Sequence, residues 1–312
     1  MSIHQTYWQN YYDESTVARS NALRQEVTIQ STGVNIQMDV YEQPDKSALV
    51  VILNHGAGGY SRIFLPVTLA LYERGYTVIA PNQRGQGYSE GDRGDFTVGQ
   101  FVQNIVDVTH WARQRYSGVL FLLGGSVGSG LVYNAAAESA PVDAIICHNL
   151  YDFGSVHDTI DLSRFAALRH LPGCSALTRT AIQFFAALMP GLRLPFGAVA
   201  KFDAMVDDRD TRFYDIWKND PLPIKSVSLR YMRSTFSTPA RIPFEANTRP
   251  ILVINPVRDK MVSPVVTKRN FDRLGGPKQY VEIDYGHWAT GESFVNEYIS
   301  IIVTYLQQHI ST

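Results

Sequence analysis

The sequence of 312 residues predicts an α/β fold in which a mostly parallel, eight-stranded sheet is flanked by helices. Two observations lead to this prediction. Short apolar, β-rich segments alternate with segments of helical character, which is typical of a parallel sheet covered on both faces. The alternation stops between about residues 153 and 240 and then resumes, which indicates that a mostly helical insertion follows the sixth strand.

The N-terminal part of the chain is predicted to form a helical arm and then a β-hairpin. Residues 1–24 are polar and contain four aromatic side chains, and we expect a helical arm there. Two β-rich runs, residues 27–30 and 34–41, lie on either side of Ser31-Thr32-Gly33. Such a pair of runs around a short turn is typical of a hairpin.

Six further strands and five helices complete the predicted core. Residues 48–53 form a short continuous apolar run, which is typical of a strand buried on both faces. The other strands are predicted at residues 76–80, 119–123, 142–147, 251–254 and 279–283. The helices are predicted at residues 63–74, 98–116, 127–138, 264–274 and 294–308. We therefore expect a core of residues 1–152 and 241–312, with residues 153–240 forming a helical cap, or lid.

Composition and charge narrow the classes of function. Hydrophobic residues make up 45% of the chain, and 28 basic residues nearly balance 29 acidic ones, so no basic field exists for nucleic acid. The two cysteines, Cys147 and Cys174, form no metal-binding pattern. No leader or transmembrane segment is recognisable. We expect a cytoplasmic protein that uses neither a metal nor a cofactor.

A Gly-x-Ser-x-Gly pattern, residues 124–128, follows the predicted strand 119–123 directly and precedes a predicted helix. In this context the chain must turn sharply, which holds Ser126 in a strained conformation with its hydroxyl exposed. Glycine at positions 124 and 128 removes side chains that would collide in the turn. The following helix N-terminus favours negative charge near Ser126. The pattern therefore makes Ser126 a candidate nucleophile.

A serine nucleophile needs a base and an acid that orients the base. Among eight histidines, His287 stands directly after the last predicted strand, and Asp259 follows the strand at 251–254. Ser126, Asp259 and His287 therefore all lie at the carboxyl ends of strands, where open parallel sheets bind their ligands. The sequence predicts that these three residues form a catalytic triad.

The segment Asn54-His55-Gly56-Ala57-Gly58-Gly59 follows the buried strand at 48–53. Acyl transfer needs two preorganised donors for the oxyanion, and we expect them to be the backbone N–H groups of Ala57 and Val127. His55 is expected to shape this loop through hydrogen bonds of its ring rather than to act as a base.

The insertion carries apolar residues at helical spacing. Such stripes most often pack on a core; the alternative is that some of them line an apolar acyl pocket under the cap. The two stripes comprise Ile182, Phe185, Ala186 and Met189, and Leu162, Phe165 and Ala166. The charged run at 207–210 is expected to be a solvated surface.

Taken together, these motifs resemble the α/β-hydrolase superfamily, and within it the monoacylglycerol lipase and lysophospholipase group of S33-type hydrolases. Residues 54–58 match the oxyanion loop of that group, and Arg84-Gly85-Gln86-Gly87-Tyr88-Ser89-Glu90-Gly91 matches its Arg-Gly-x-Gly-x-Ser-x-Gly segment. The resemblance covers about residues 26–150 and 240–310. The chain departs from the group at Gly125 and Val127, where histidine and methionine or glutamine are common.

The resemblance implies a serine carboxylic-ester hydrolase that cleaves small to medium acyl esters or lactones through an acyl-enzyme. Three alternatives stay open: an acyl-homoserine lactone or other lactone hydrolase with the same triad, an S33-type aminopeptidase, and a non-catalytic ligand-binding protein of this fold. An aminopeptidase would need a cap carboxylate for the free amine, and Glu245 and the cap aspartates are the candidates. The sequence predicts neither an oligomeric state nor a particular substrate.

Overall fold

The computed structural model describes residues 6–164, 166–167, 173–207, 209 and 211–309. Ten strands occur in this part of the chain: β1 (Arg24–Ser31), β2 (Val34–Tyr41), β3 (Val50–Asn54), β4 (Thr77–Pro81), β5 (Leu120–Gly125), β6 (Ala144–His148), β7 (Arg193–Pro195), β8 (Ser226–Ser228), β9 (Ile251–Pro256) and β10 (Lys278–Ile283). Eight of them form one sheet in the order β1-β2-β4-β3-β5-β6-β9-β10, and β7 pairs with β8.

The helices of the described residues alternate with these strands. They are α1 (Glu14–Leu23), α2 (Leu65–Tyr72), α3 (Val98–Arg113), α4 (Val127–Glu138), α5 (Val156–Asp161), α6 (Cys174–Leu188), α7 (Phe196–Val199), α8 (Thr211–Asn219), α9 (Leu229–Ser234), α10 (Pro264–Arg273) and α11 (Glu292–Gln307). Short 3-10 turns occupy Tyr7–Tyr11, Ser61–Phe64, Phe202–Ala204 and Phe244–Ala246. Within the described residues, none of these helices is long and apolar enough to cross a bilayer.

The observed sheet confirms the predicted fold class. β2 runs antiparallel to both of its neighbours, β1 and β4, and the remaining pairs in the sheet are parallel. Every residue of β3, β4, β6 and β9 is buried, which explains why these strands appear in the sequence as continuous apolar runs. The sheet order brings the carboxyl ends of β3, β5, β6, β9 and β10 to one edge.

The N-terminal arm joins the core to the insertion. Tyr11 and Tyr60 both donate hydrogen bonds to the buried carboxylate of Asp220, at 2.9 and 2.7 Å, and Asp220 follows α8 directly. Tyr7 donates to the Ile216 carbonyl of α8 at 3.2 Å. Residues 1–5 lie outside the described part of the chain. The arm is helical as predicted, and hydrogen bonds from Tyr7 and Tyr11 connect it to α8 and to Asp220.

The apolar stripe on α6 is only partly buried. Ala186 is 3% exposed, whereas Phe185 and Met189 remain 48% and 46% exposed. Within the described residues, α6 packs mainly against α9 and α5, so one face of the helix has no neighbour. Packing on the core, which we expected for most residues of such stripes, is therefore not found for Phe185 and Met189. Phe165 of the second stripe lies outside the described residues.

Candidate active site

Ser126 occupies a strained turn between β5 and α4. Its φ and ψ are 57° and −125°, a conformation that costs a non-glycine residue about 1–3 kcal/mol. The Ser126 N–H donates to the carbonyl of His148 at 2.9 Å, and the Ser126 carbonyl accepts from the Ser129 N–H at 2.9 Å. Hydrogen bonds to the neighbouring strand and the first turn of α4 therefore hold the strained backbone in place.

Close backbone packing around Ser126 requires glycine at both predicted positions. A Cβ atom on Gly124 would overlap the carbonyl group of Gly128. A Cβ atom on Gly128 would lie 2.8 Å from the carbonyl oxygens of Asn54 and His55. Real Cβ atoms do not approach backbone oxygens so closely. Glycine at 124 therefore lets the end of β5 pack against the start of α4, and glycine at 128 lets the start of α4 pack against Asn54 and His55. A Cβ atom on Gly125, by contrast, would have no atom within 4 Å.

The structure brings Asp259 and His287 together. The His287 Nδ1–H donates to Asp259 Oδ2 at 2.7 Å, and both residues are 6% exposed. The other carboxylate oxygen accepts the backbone N–H groups of Met261 and Val262, both at 2.8 Å. Hydrogen bonds thus hold both oxygens of the Asp259 carboxylate. The carboxylate therefore fixes the His287 tautomer that carries its proton on Nδ1, and Nε2 can accept a proton.

Ser126 and His287 line the same cavity, which has a volume of about 510 Å³ including its open mouth. A second cavity of about 910 Å³ also reaches Ser126. Ala57 and Met261 border both cavities, so the two spaces meet beside the serine. A substrate whose reacting carbon lies at Ser126 could therefore extend in two directions.

The larger cavity is lined mainly by apolar residues of the insertion. The lining includes Leu162, Ile182, Phe196, Val199, Phe202 and Val227. Leu162 and Ile182 belong to the two apolar stripes, and the structure thus favours the pocket-lining alternative for these two residues. Among the residues that the structure describes, no Asp, Glu, Lys or Arg lines either cavity.

The predicted oxyanion loop borders the same space. Ala57 lines both cavities, and within the described residues its N–H has no hydrogen-bond acceptor. Val127 is the first residue of α4, where helical N–H groups lack an intrahelical partner. Both N–H groups are therefore available to a ligand next to Ser126.

His55 shapes the loop, as the sequence predicts. Its Nδ1–H donates to the Gly56 carbonyl at 2.9 Å, and its Nε2 accepts the Gln83 N–H at 2.9 Å. Burial lowers the pKa of His55 to about 4, so the ring is neutral at pH 7. A neutral ring with both nitrogens occupied cannot serve as the general base.

Sequence reasoning missed three residues that support these groups. Trp217 of α8 donates its Nε1–H to the Gly58 carbonyl of the predicted oxyanion loop at 2.8 Å. Asn149 donates to Asp259 Oδ2 at 3.2 Å, and His148 Nε2–H donates to the His287 carbonyl at 2.7 Å. Asn149 and His148 follow or end β6, so their place beside the site follows from the strand order. No periodicity or spacing marks Trp217.

The prediction of a solvated charged run is wrong for Asp207. This residue is 2% exposed and accepts hydrogen bonds from Arg209, Arg258 and the Gly286 N–H. A carboxylate can be buried when positive charges and N–H groups satisfy it. Local composition does not show this for Asp207, because Arg258 and Gly286 are distant in sequence. Asp208 and Asp210 lie outside the described residues.

Comparison with known proteins finds a family that this chain matches and solved structures that share its fold. Residues 45–288 match the family described as serine aminopeptidase, S33. A protein of Escherichia coli described as an uncharacterized 31.7 kDa protein in the traX-finO intergenic region is 25% identical over 289 residues. That alignment covers 90% of this chain and 97% of the relative.

Solved structures with lipase and esterase names share the fold. A monoacylglycerol lipase from Paleococcus ferrophilus is 19% identical with a TM-score of 0.68, covering 88% of this chain and 99% of that one. A monoglyceride lipase from Saccharomyces cerevisiae is 15% identical with a TM-score of 0.72, covering 93% and 96%. A carboxyl esterase from Bacillus coagulans is 18% identical with a TM-score of 0.67, covering 92% and 99%.

The packing at the serine turn can be tested with two adjacent glycines. Gly124→Ala forces a Cβ atom into the Gly128 backbone and should lower the free energy of unfolding by about 2–3 kcal/mol. Gly125→Ala meets open space and should change it by less than about 1 kcal/mol. Urea denaturation followed by circular dichroism measures both. Equal stabilities of the two variants would contradict the proposed packing.

Proposed function

The chain belongs to the serine aminopeptidase S33 family of hydrolases, and we propose that it is a serine carboxylic-ester hydrolase for small to medium acyl chains. The observation that carries this proposal is a strained Ser126 that shares a cavity with His287, whose ring is hydrogen-bonded to the buried Asp259. We further propose that residues 153–240 act as the cap, because residues of this segment line both cavities next to Ser126.

In the proposed acylation step, Ser126 Oγ attacks the ester carbonyl while His287 Nε2 accepts its proton. Nε2 is the basic nitrogen because Nδ1 carries the proton donated to Asp259. The negative charge of Asp259 then stabilises the imidazolium. When the tetrahedral intermediate collapses, His287 returns the proton to the leaving alkoxide, and an acyl-Ser126 ester remains.

In the proposed deacylation step, a water molecule loses its proton to His287 Nε2 and attacks the acyl-Ser126 carbonyl. The N–H groups of Ala57 and Val127 donate to the oxyanion in both steps. Such a preorganised donor is typically worth about 10²–10³ in rate. The released proton returns to Ser126 Oγ, and the carboxylic acid leaves.

The uncharged lining of the site supports an ester or a lactone over a peptide with a free amine. An aminopeptidase would need a carboxylate near the substrate N-terminus, but none of the described residues that line the cavities is acidic. Glu245 lies outside the lining and pairs with Arg273 at 2.8 Å. The lipases and the esterase that share this fold are consistent with the same choice. A lactone is an internal ester and would follow the same two steps.

Hydrolysis of p-nitrophenyl esters tests the proposal, with Ser126→Ala as the control. The wild-type protein should hydrolyse them, and the variant should fold normally but lose about 10⁴-fold or more in kcat, because it lacks the nucleophile. Circular dichroism verifies the fold of the variant. Activity that survives in Ser126→Ala would show that another group is the nucleophile, and a folded but inactive wild-type protein would favour a peptidase or a ligand receptor.

The apolar cavity predicts a preference among acyl chains. Each methylene buried in it contributes about 0.8 kcal/mol, or about a fourfold gain in kcat/KM, until the cavity is filled. A p-nitrophenyl ester series from acetate to palmitate should therefore reach its maximum kcat/KM at medium chains. Equal values from acetate to decanoate would refute the assignment of this cavity to the acyl chain.

Asp259→Asn tests the orientation of the histidine. The amide N–H can donate a hydrogen bond to Nδ1, which favours the tautomer with its proton on Nε2 and removes the base. We expect kcat to fall by about 10⁴-fold with the fold retained. Steady-state kinetics on the best ester of the series measures the effect. Near-normal turnover would mean that another carboxylate is the acid of the triad.

A further inference from the structure

The loop that carries His287 is held at three consecutive backbone positions. The Gly286 N–H donates to Asp207 Oδ2 at 2.5 Å, and the Trp288 carbonyl accepts the Asp207 N–H at 2.7 Å. Between them, the His287 carbonyl accepts the Nε2–H of His148 at 2.7 Å. One residue of the insertion therefore supplies two of the three hydrogen bonds around the histidine.

The Asp207 carboxylate also binds the loop that carries Asp259, the proposed acid of the triad. Arg258, the residue before Asp259, donates to Asp207 Oδ2 at 3.1 Å and to Asp284 Oδ1 at 2.8 Å. Arg209 donates to Asp207 Oδ1 at 2.7 Å and to the Asp284 carbonyl at 3.1 Å. Asp207 thus lies where the insertion, the Asp259 loop and the His287 loop meet.

The packing at this junction leaves little room for movement. A Cβ atom on Gly286 would lie 2.9 Å from the Asp207 Cα atom, so the two backbones are in direct contact. Burial by itself would raise the pKa of Asp207, but hydrogen bonds from Arg209 and the Gly286 N–H hold it well below its ordinary value. The carboxylate is therefore charged throughout the neutral pH range, and its partners keep it fixed.

We propose that Asp207 is a positioning residue, which holds the His287 loop so that the imidazole can exchange a proton with Ser126. This inference rests on the proposed function, since it assigns the base to His287. Proton transfer requires the two heavy atoms to approach within about 3 Å. A displacement of about 1 Å can lower the rate by about 10²-fold. By this account the insertion does more than enclose the substrate, because it also fixes the base.

Asp207→Asn tests the role of the charge. The amide is nearly isosteric, but it loses the ionic interaction with both arginines and turns an N–H group toward one of its former donors. We expect kcat on the preferred p-nitrophenyl ester to fall about 10- to 100-fold, with KM changed less than about threefold. Asp203→Asn is the matched control, because this cap aspartate pairs with Arg164 on the surface, and among the described residues no hydrogen bond or ion pair joins its side chain to the Asp259 or His287 loop. Its kcat should equal that of the wild type.

A double-mutant cycle with His287→Ala separates positioning from general support of the fold. If Asp207 acts through His287, Asp207→Asn should lower kcat less than about twofold in the His287→Ala background. Equal losses in both backgrounds, or an unchanged kcat in the single variant, would overturn the inference. If His287→Ala itself retained full activity, the proposed triad would fail instead, so the two failures are distinguishable.

Arg209→Gln provides a second variant in case Asp207→Asn does not fold. Arg209 is largely exposed, and its loss removes one ion pair from Asp207 while the Gly286 hydrogen bond stays. We expect a fall in kcat of about 3- to 10-fold that again disappears in the His287→Ala background. A wild-type kcat in this variant would contradict the role of the fixed carboxylate.

Discussion

The chain must change direction within one residue at Ser126, from the end of β5 to the start of α4, and the geometry of the site depends on this turn. After the turn, α4 begins in direct contact with the end of β3 and the loop that follows, because Gly128 has no Cβ atom to collide with the carbonyls of Asn54 and His55. The same contact brings Ala57 of that loop next to the first N–H of α4. This packing therefore places Ser126 and the two N–H groups that we propose as oxyanion donors around one cavity.

The charged side chains described near Ser126 lie behind the cavity walls rather than in them. Charged side chains are absent from the cavity walls among the described residues, yet they lie directly behind them: Asp259 holds His287, and Asp207 joins the loops of both residues. Because each of these carboxylates is satisfied by N–H groups or arginines, neither is left as an uncompensated charge beside an apolar substrate. The proposed acyl substrate and the proposed acid of the triad can thus lie close together in one structure.

The sequence predicts the fold class correctly, and it also marks three candidate catalytic residues, because the signals for both are local. Gly124, Ser126 and Gly128 define a turn through neighbours within four residues, and Asp259 and His287 are found because each follows a strand whose end lies at the same edge of the sheet. Asp207 and Trp217 give no such signal. Their roles depend on how the insertion folds back onto loops that are distant in sequence, and the acidic run around residue 207 is typical of an exposed surface. The exposed face of α6 shows the same limit, since apolar periodicity predicts a helix but not what covers it.

The proposed mechanism requires Ser126 to be an activated nucleophile, and covalent labelling shows whether it is one. The folded wild-type protein would be treated with a fluorophosphonate probe, and intact-mass measurement and peptide mapping would locate the adduct. We expect one adduct for each chain, on the hydroxyl oxygen of Ser126. An adduct on a different residue, or no adduct on a protein shown to be folded, would contradict the proposed mechanism.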